Sequence, residues 1–213
     1  MPRITVLAGT NGAGKSSIAG ALLREAGGEY YNPDEATRRI LGANPGIDPA
    51  RANSLAWREG VRQLQAAIAG PHDYAFETTL GGHTIPKLLQ QAAQAGIAIH
   101  LWYAGLADAE RHLSRIRARV ARGGHDIPAA KVRERYATSR ANLVQLMPYL
   151  SVLRVFDNSC EADPAAGEAP APRLVLAVDG NRILHPLSAE DMGATPEWAK
   201  PLVACALARA LAS

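Results

Sequence analysis

The sequence predicts an α/β fold: a parallel sheet of about five strands with helices on both faces, extended by a C-terminal hairpin and helix. Three observations carry the prediction. Short apolar runs alternate with helical-period segments over the first 160 residues, as in successive βα units. Residues 4–8 are apolar almost throughout and end in glycine, as a strand buried on both faces does. Asp179-Gly-Asn-Arg separates two apolar runs, which is a strong hairpin signal.

In chain order, the first strand at 4–8 is followed by a glycine-rich turn. A helix carrying Ile18, Leu22 and Leu23 then runs until Gly27-Gly28 stops it. Residues 29–32 are a second strand candidate, and Pro33 opens a helix with Ile40 and Leu41. After the turn-rich break at 44–49, a long helix is expected from about Arg51 to Ala69, with Leu55, Leu64 and Ile68 among its apolar positions. Residues 74–77 form the third strand, 86–94 a helix and 97–103 a fourth strand. Two arginine-rich helices flank Gly123-Gly124, and residues 153–156 give the fifth strand. Strands at 174–178 and 183–187 make the hairpin, and an amphipathic helix spans about 197–211. Residues 1–160 are read as the core, with a helical lid around 107–146. Residues 161–172, rich in alanine and proline, are an exposed linker. Residues 173–213 extend the same domain, being too few to hold a separate core.

Composition bounds the function classes. With 47% hydrophobic, 20% charged and 5% aromatic residues, the 213-residue chain is neither a disordered tail nor a collagen-like repeat. No stretch approaches the roughly 20 apolar residues of a membrane span, and the start is not expected to be a signal peptide. Cys160 and Cys205 have neither metal spacing nor a disulfide framework, so a reduced cytoplasmic protein is expected. The net charge of +3 is a weak hint of anionic partners.

The strongest functional signal is Gly9-Thr-Asn-Gly-Ala-Gly-Lys-Ser, which satisfies G-x-x-x-x-G-K-[ST] between a strand and a helix. Glycines let successive backbone N–H groups converge on phosphate oxygens, and the helix amino end adds a favourable field. Nucleotide binding is therefore assigned to Gly9, Thr10, Asn11, Gly12, Ala13, Gly14, Lys15, Ser16 and Ser17, with ATP or GTP as ligand. Lys15 bridges the terminal phosphates, and Ser16 holds Mg²⁺.

The acceptor side has three parts. Asp34, in Asn32-Pro-Asp-Glu, stands where open α/β sheets place ligand-contacting residues, and can take a proton from an attacking hydroxyl. The alternative is that Asp34 and Glu35 only favour a helix amino end. Glu77 ends the third strand and is followed by Thr78 and Thr79, a place suited to orienting substrate or metal-bound water. A capping role for Thr79 and Thr84 would leave Glu77 unexplained. Arg111, Arg115, Arg119 and Arg122 share a helix face, and residues 111–140 hold nine Lys or Arg against two acids, a local balance of +7. That is either a solvated basic face or a lid that supplies a guanidinium to a transferring phosphoryl group, with Arg119 and Arg122 beside the glycine hinge as the candidates. His125 alone reads as a loop histidine.

Together these motifs resemble the zeta-toxin family of P-loop kinases. The matching pieces are the glycine-rich loop, Asn32-Pro-Asp-Glu, Phe76-Glu-Thr-Thr-Leu, Arg119-Val-Ala-Arg-Gly-Gly-His-Asp-Ile-Pro with Arg135-Tyr and Ser139, then Asn142-Leu and Phe156-Asp-Asn-Ser. They span about residues 4–160 and are most similar to the chromosomal zeta-like branch whose lid carries Gly-Gly-His. The resemblance implies a P-loop NTPase fold of the kinase type and ATP-dependent phosphorylation of the 3′-hydroxyl of UDP-N-acetylglucosamine. It implies Lys15 and Ser16 as phosphate and Mg²⁺ groups, Asp34 as base, and Glu77, Thr78 and Thr79 as acceptor contacts. Of the family's two lid arginines, the first falls among Arg115, Arg119 and Arg122. The second falls at His125, counted with the substrate contacts, or is replaced by Arg133 or Arg135. An antitoxin protein is a partner that the resemblance raises. Two other readings stay open, a polynucleotide 5′-hydroxyl kinase and a nucleotide-binding regulator without turnover. The sparse aromatics, with no visible stacking platform, weigh against nucleic acid.

Overall fold

The computed structural model describes residues 2–18, 30–124, 126–160 and 172–212. The predicted end of the first helix at Gly27-Gly28 and nearly all of the linker at 161–172 lie outside these residues. One six-stranded sheet in the order β2-β1-β3-β4-β5-β6 organises the molecule. Its strands are β1 (Arg3–Ala8), β2 (Tyr74–Thr78), β3 (Ala98–Gly105), β4 (Val152–Asp157), β5 (Arg173–Asp179) and β6 (Arg182–His185). The first four are mutually parallel, whereas β5 runs antiparallel to β4 and β6 to β5. The helices are α1 (Lys15–Ile18), α2 (Pro33–Ala43), α3 (Pro49–Ala69), α4 (Thr84–Gln94), α5 (Ala109–Val120), α6 (Ala129–Leu146), α7 (Ala189–Gly193) and α8 (Lys200–Leu211).

β1 lies in the interior of the sheet, and Ile4 to Ala8 are buried without a break, which is why its sequence is a continuous apolar run. The main core joins Ile4, Val6, Phe76, Leu89, Ile99 and Leu101 to Leu143, Leu153, Val155 and Leu202. A small second cluster, Leu113, Ile116 and Val132, packs α5 against α6. No helix of the described residues is long and apolar enough to cross a membrane.

The second predicted strand reduces to one parallel bridge, Tyr31 to Phe76. The reason is local. Asn32 ends it at once by capping α2, its side-chain oxygen accepting from the N–H groups of Asp34 (2.9 Å) and Glu35 (3.2 Å). Leu55 also departs from expectation. It is 41% exposed, because the face of α3 that is buried carries Ala52, Ala56, Gly60, Leu64 and Ala67.

The C-terminal hairpin, turning at Gly180 and Asn181, continues the sheet. It is keyed to the core through Asp157 at the end of β4. Trp198 donates its indole N–H to Asp157 Oδ1 (3.1 Å), and Arg173 approaches Oδ2 at 3.9 Å. The same indole packs against β3 at Gly105, where any β-carbon would stand 2.2 Å from the ring.

Candidate functional site

The carboxyl ends of β1 and β2 are neighbours in register, with Leu7 opposite Glu77 and Ala8 opposite Thr78. That pairing sets the glycine-rich loop beside the acidic strand end. Between α2, α3, the β2–α4 loop and α6 lies a cavity of about 440 Å³, lined by Asn11, Lys15, Asp34, Glu77, Thr78 and Thr79 among others.

The loop is held by its own backbone and by distant residues. Gly9 takes φ +138°, and a β-carbon there would stand 2.2 Å from the Ala104 carbonyl oxygen, so only glycine fits against β3. Gly12 and Gly14 also have positive φ. His112 of α5 donates from Nδ1 to the Asn11 carbonyl at 2.8 Å, which requires the proton on that nitrogen. Burial, with Lys15 and Arg115 nearby, pushes the His112 pKa down to about 4. Asn158, after β4, donates to the Ala13 carbonyl at 2.9 Å. Arg135 of α6 donates to Asn11 Oδ1 at 2.8 Å, and the Thr10 hydroxyl reaches the Arg135 carbonyl at 3.4 Å.

The two carboxylates of the cavity face the cations. Lys15 Nζ lies 3.4 Å from Glu77 Oε1, both side chains about nine-tenths buried, and Asn32 Nδ2 donates to the other oxygen of Glu77 at 3.2 Å. Asn32 thus caps α2 with its oxygen and fixes Glu77 with its nitrogen. Asp34 is exposed on the cavity wall, and Arg119 approaches it at 3.9 Å. Just past β2, Leu80 holds φ +55°, unusual for a branched aliphatic residue. Its N–H donates to Thr78 Oγ1 (3.0 Å) and its carbonyl accepts from Asn142 Nδ2 (2.7 Å), which holds the strained turn in place.

The capping role weighed for Thr79 and Thr84 does not occur. The residue before α4 is His83, without a side-chain cap bond, and Thr84 is already helical. Thr79 lines the cavity instead. The arginines of α5 share a face but not a task. Arg111 and Arg115 donate to the carbonyls of Ser159 (2.9 Å) and Asn158 (2.8 Å), bracing the loop after β4. Arg119 turns to Asp34. Arg122 is exposed in the turn after α5, its backbone N–H donating to the Arg119 carbonyl at 3.1 Å. Arg133 pairs with Glu110 at 2.8 Å, while Arg135 lines the cavity. His125 and the side chains of Ser16 and Ser17 lie outside the described residues.

Several contributors carry weak sequence signals. Asn32 before Pro33 is a helix-start signal whose second bond depends on β2. His112, Asn142 and Asn158 act across more than 60 residues of chain and have no local signature. Trp57, 47% exposed, also lies on the cavity wall, a placement that its own sequence neighbourhood does not signal.

A family model described as an AAA domain matches residues 4–143, from β1 into α6. An uncharacterized protein of Haemophilus influenzae is 33% identical over 128 residues, 60% of this chain and 88% of its own length. Among solved structures, a chain of the AvrRxo1-ORF1:AvrRxo1-ORF2 complex with sulphate ions is similar over 93% of this chain, at 20% identity and TM-score 0.66. The present chain spans 64% of that one, under two thirds of its length. The same complex with ATP gives TM-score 0.65 at 19% identity. A chain from the PezAT chromosomal toxin–antitoxin system of Streptococcus pneumoniae is similar over 80% of this chain and 75% of its own, at 17% identity and TM-score 0.53. At such identities the likenesses show the fold, an α/β fold of the P-loop kinase type. The family match extends over about two thirds of the sequence, and the chain belongs to this AAA domain family.

Proposed function

We propose that the chain is an ATP-dependent phosphotransferase of the zeta-toxin kind, moving the γ-phosphoryl group to a hydroxyl of a sugar nucleotide such as UDP-N-acetylglucosamine. One observation carries the reading: the phosphate-loop lysine and two carboxylates, Asp34 and Glu77, line a single cavity of ligand size.

In this reading the loop amides and Lys15 bind the β- and γ-phosphates, which draws Lys15 away from Glu77. Asp34 accepts the proton of the acceptor hydroxyl as that oxygen bonds to the γ-phosphorus. The bond between the γ-phosphorus and the β,γ-bridging oxygen breaks, and ADP leaves with that oxygen. Arg119, within reach of Asp34, and Arg135, at Asn11, balance charge on the transferring group. Thr78 and Thr79 orient the acceptor. Among the described residues no three His, Cys, Asp or Glu gather to hold a metal. Mg²⁺ brought by the phosphates would be held by the Ser16 hydroxyl, with Glu77 reaching it through water. Bound there, the ion would neutralise charge at the phosphates.

Both kinds of structural relative are solved as two-protein systems, which supports a further proposal of an antitoxin-type partner. The test of the main reading is ADP release from ATP with and without UDP-N-acetylglucosamine and related sugar nucleotides. Acceptor-dependent release is expected. Nucleotide binding with no release under any acceptor would favour a regulator without turnover. Steeply salt-dependent binding of RNA or DNA would favour a polynucleotide kinase.

A further inference from the structure

The chain has three tryptophans. Trp198 is buried on β3, whereas Trp57 leaves nearly half of its surface exposed, and does so on the wall of the cavity that holds Asp34 and Glu77. An exposed large aromatic scattered on a convex surface needs no explanation, but one lining a concave site does. The face around it is continuous. Asn53, Ser54, Trp57, Gly60 and Val61 follow at helical spacing along α3, and all five line the cavity. The backbone of α3 here is itself fixed from below, since Tyr31 donates its hydroxyl to the Ala56 carbonyl and a β-carbon on Gly60 would stand 2.8 Å from the Tyr31 ring. Asn53 and Ser54 make no side-chain hydrogen bond to the described residues, so an amide and a hydroxyl are available to a ligand beside the indole. Lys131 and Arg135 of α6 line the same cavity and carry positive charge.

We propose that Trp57 is the specificity residue of the acceptor compartment, an indole platform on which a nucleobase of the acceptor stacks. Asn53 and Ser54 meet the polar edge of the base, and Lys131 meets the phosphates attached to it. The proposal rests on the phosphotransferase reading and sharpens it: the acceptor is a nucleotide conjugate, and a free sugar or sugar phosphate is excluded as the preferred substrate. A base contributes a flat π-face that an indole binds at little conformational cost, and stacking of this kind is worth about 5- to 150-fold in affinity per base.

The experiment is calorimetric titration of the full chain, saturated with a non-hydrolysable ATP analogue and Mg²⁺ so that the phosphate loop is filled. The probes are UDP, N-acetylglucosamine 1-phosphate and a short 5′-hydroxyl oligonucleotide, each against wild type, Trp57→Ala and Trp57→Phe. UDP is expected to bind wild type, to weaken about 5- to 150-fold in Trp57→Ala and to recover most of that loss in Trp57→Phe. N-acetylglucosamine 1-phosphate is expected to be indifferent to both variants. Tighter binding of the oligonucleotide than of UDP, with the same response to Trp57→Ala, would keep the base platform and assign the base to a polynucleotide end. No binding of UDP or the oligonucleotide to wild type, or an equal loss for the base-free sugar phosphate in Trp57→Ala, overturns the proposal. Retained affinity for the ATP analogue reports that each variant is folded. Failure of wild type to bind that analogue would fall on the phosphotransferase reading instead.

Discussion

The phosphate loop presents Lys15 to the cavity and α6 presents Lys131 and Arg135, while α5 reaches the cavity wall only where Arg119 approaches Asp34, and loop and helices come to this by opposite means. In the loop, lysine and glycines are contiguous in sequence. Conformation follows from Gly9, Gly12 and Gly14 at positive φ, and the surroundings only lock it, through His112, Asn158 and Arg135. In α5 and α6, arginines recur at helical spacing, yet tertiary contacts send each to a different partner. Arg111 and Arg115 brace the loop after β4, Arg119 meets Asp34, Arg133 meets Glu110, and Arg135 crosses to Asn11. Backbone geometry written into one stretch reads directly as chemistry. Side-chain periodicity gives a face, and the fold decides what that face touches.

The sharpest break of this comparison is Lys15→Ala. Tight ATP binding and transfer should both vanish. Removing the lysine also takes the cationic partner from the buried Glu77 carboxylate, so a loss of stability on the order of a few kcal/mol is expected with it. Calorimetric ATP binding and a urea melt separate the two effects.

Next come the arginines. Arg119→Ala and Arg135→Ala should each slow transfer steeply, toward the 10³–10⁵-fold that an arginine on a transferring phosphoryl group can be worth. Lysine should rescue them poorly, since it lacks the planar fork. Arg117, which is exposed, is the control and should leave the single-turnover rate near wild type. Equal damage at Arg117 would make the effect one of general surface charge.

Asp34→Asn should lower the transfer rate about 10²–10⁴-fold, as loss of a general base does, while ATP affinity stays. Asparagine keeps the shape and suits the helix start. Normal turnover would return Asp34 to a helix-start role and move the search for a base to Glu77.

The smallest effect concerns the lock on the loop. His112 has a pKa near 4 in the folded chain, against about 6.5 unfolded. Between those values the unfolded chain binds the extra proton, so stability is full above about pH 6.5 and falls as pH drops toward 4. The loss is bounded at about 3 kcal/mol. Urea midpoints across that range should fall less in His112→Gln than in wild type. Parallel profiles would mean that the histidine does not carry the dependence.

These differences mark what the sequence could disclose. The alternation of runs revealed the sheet, because each buried strand must be apolar over its own length. The turn at Gly180 and Asn181 was legible because its two residues specify it. The second strand was over-read, since Asn32 and Pro33 favour a helix start more strongly than an edge position favours pairing. Within the site, Lys15, Asp34 and Glu77 were visible as ends of strands or loops. The double use of Asn32, the bracing by Asn158 and the cavity position of Trp57 depend on neighbours distant in sequence. Leu80 at positive φ was hidden for the same reason, as its strain is held by Asn142 more than 60 residues away.

The central claim is that one cavity joins a phosphate donor to a hydroxyl acceptor. It is tested most directly by incubating the protein with γ-labelled ATP, Mg²⁺ and a metabolite mixture, and following the label by mass spectrometry. The account predicts that a metabolite of the nucleotide-conjugate class gains one labelled phosphoryl group in step with ADP, and that Lys15→Ala abolishes both products. Label appearing only as inorganic phosphate, or no ADP at all with every acceptor present, would contradict it.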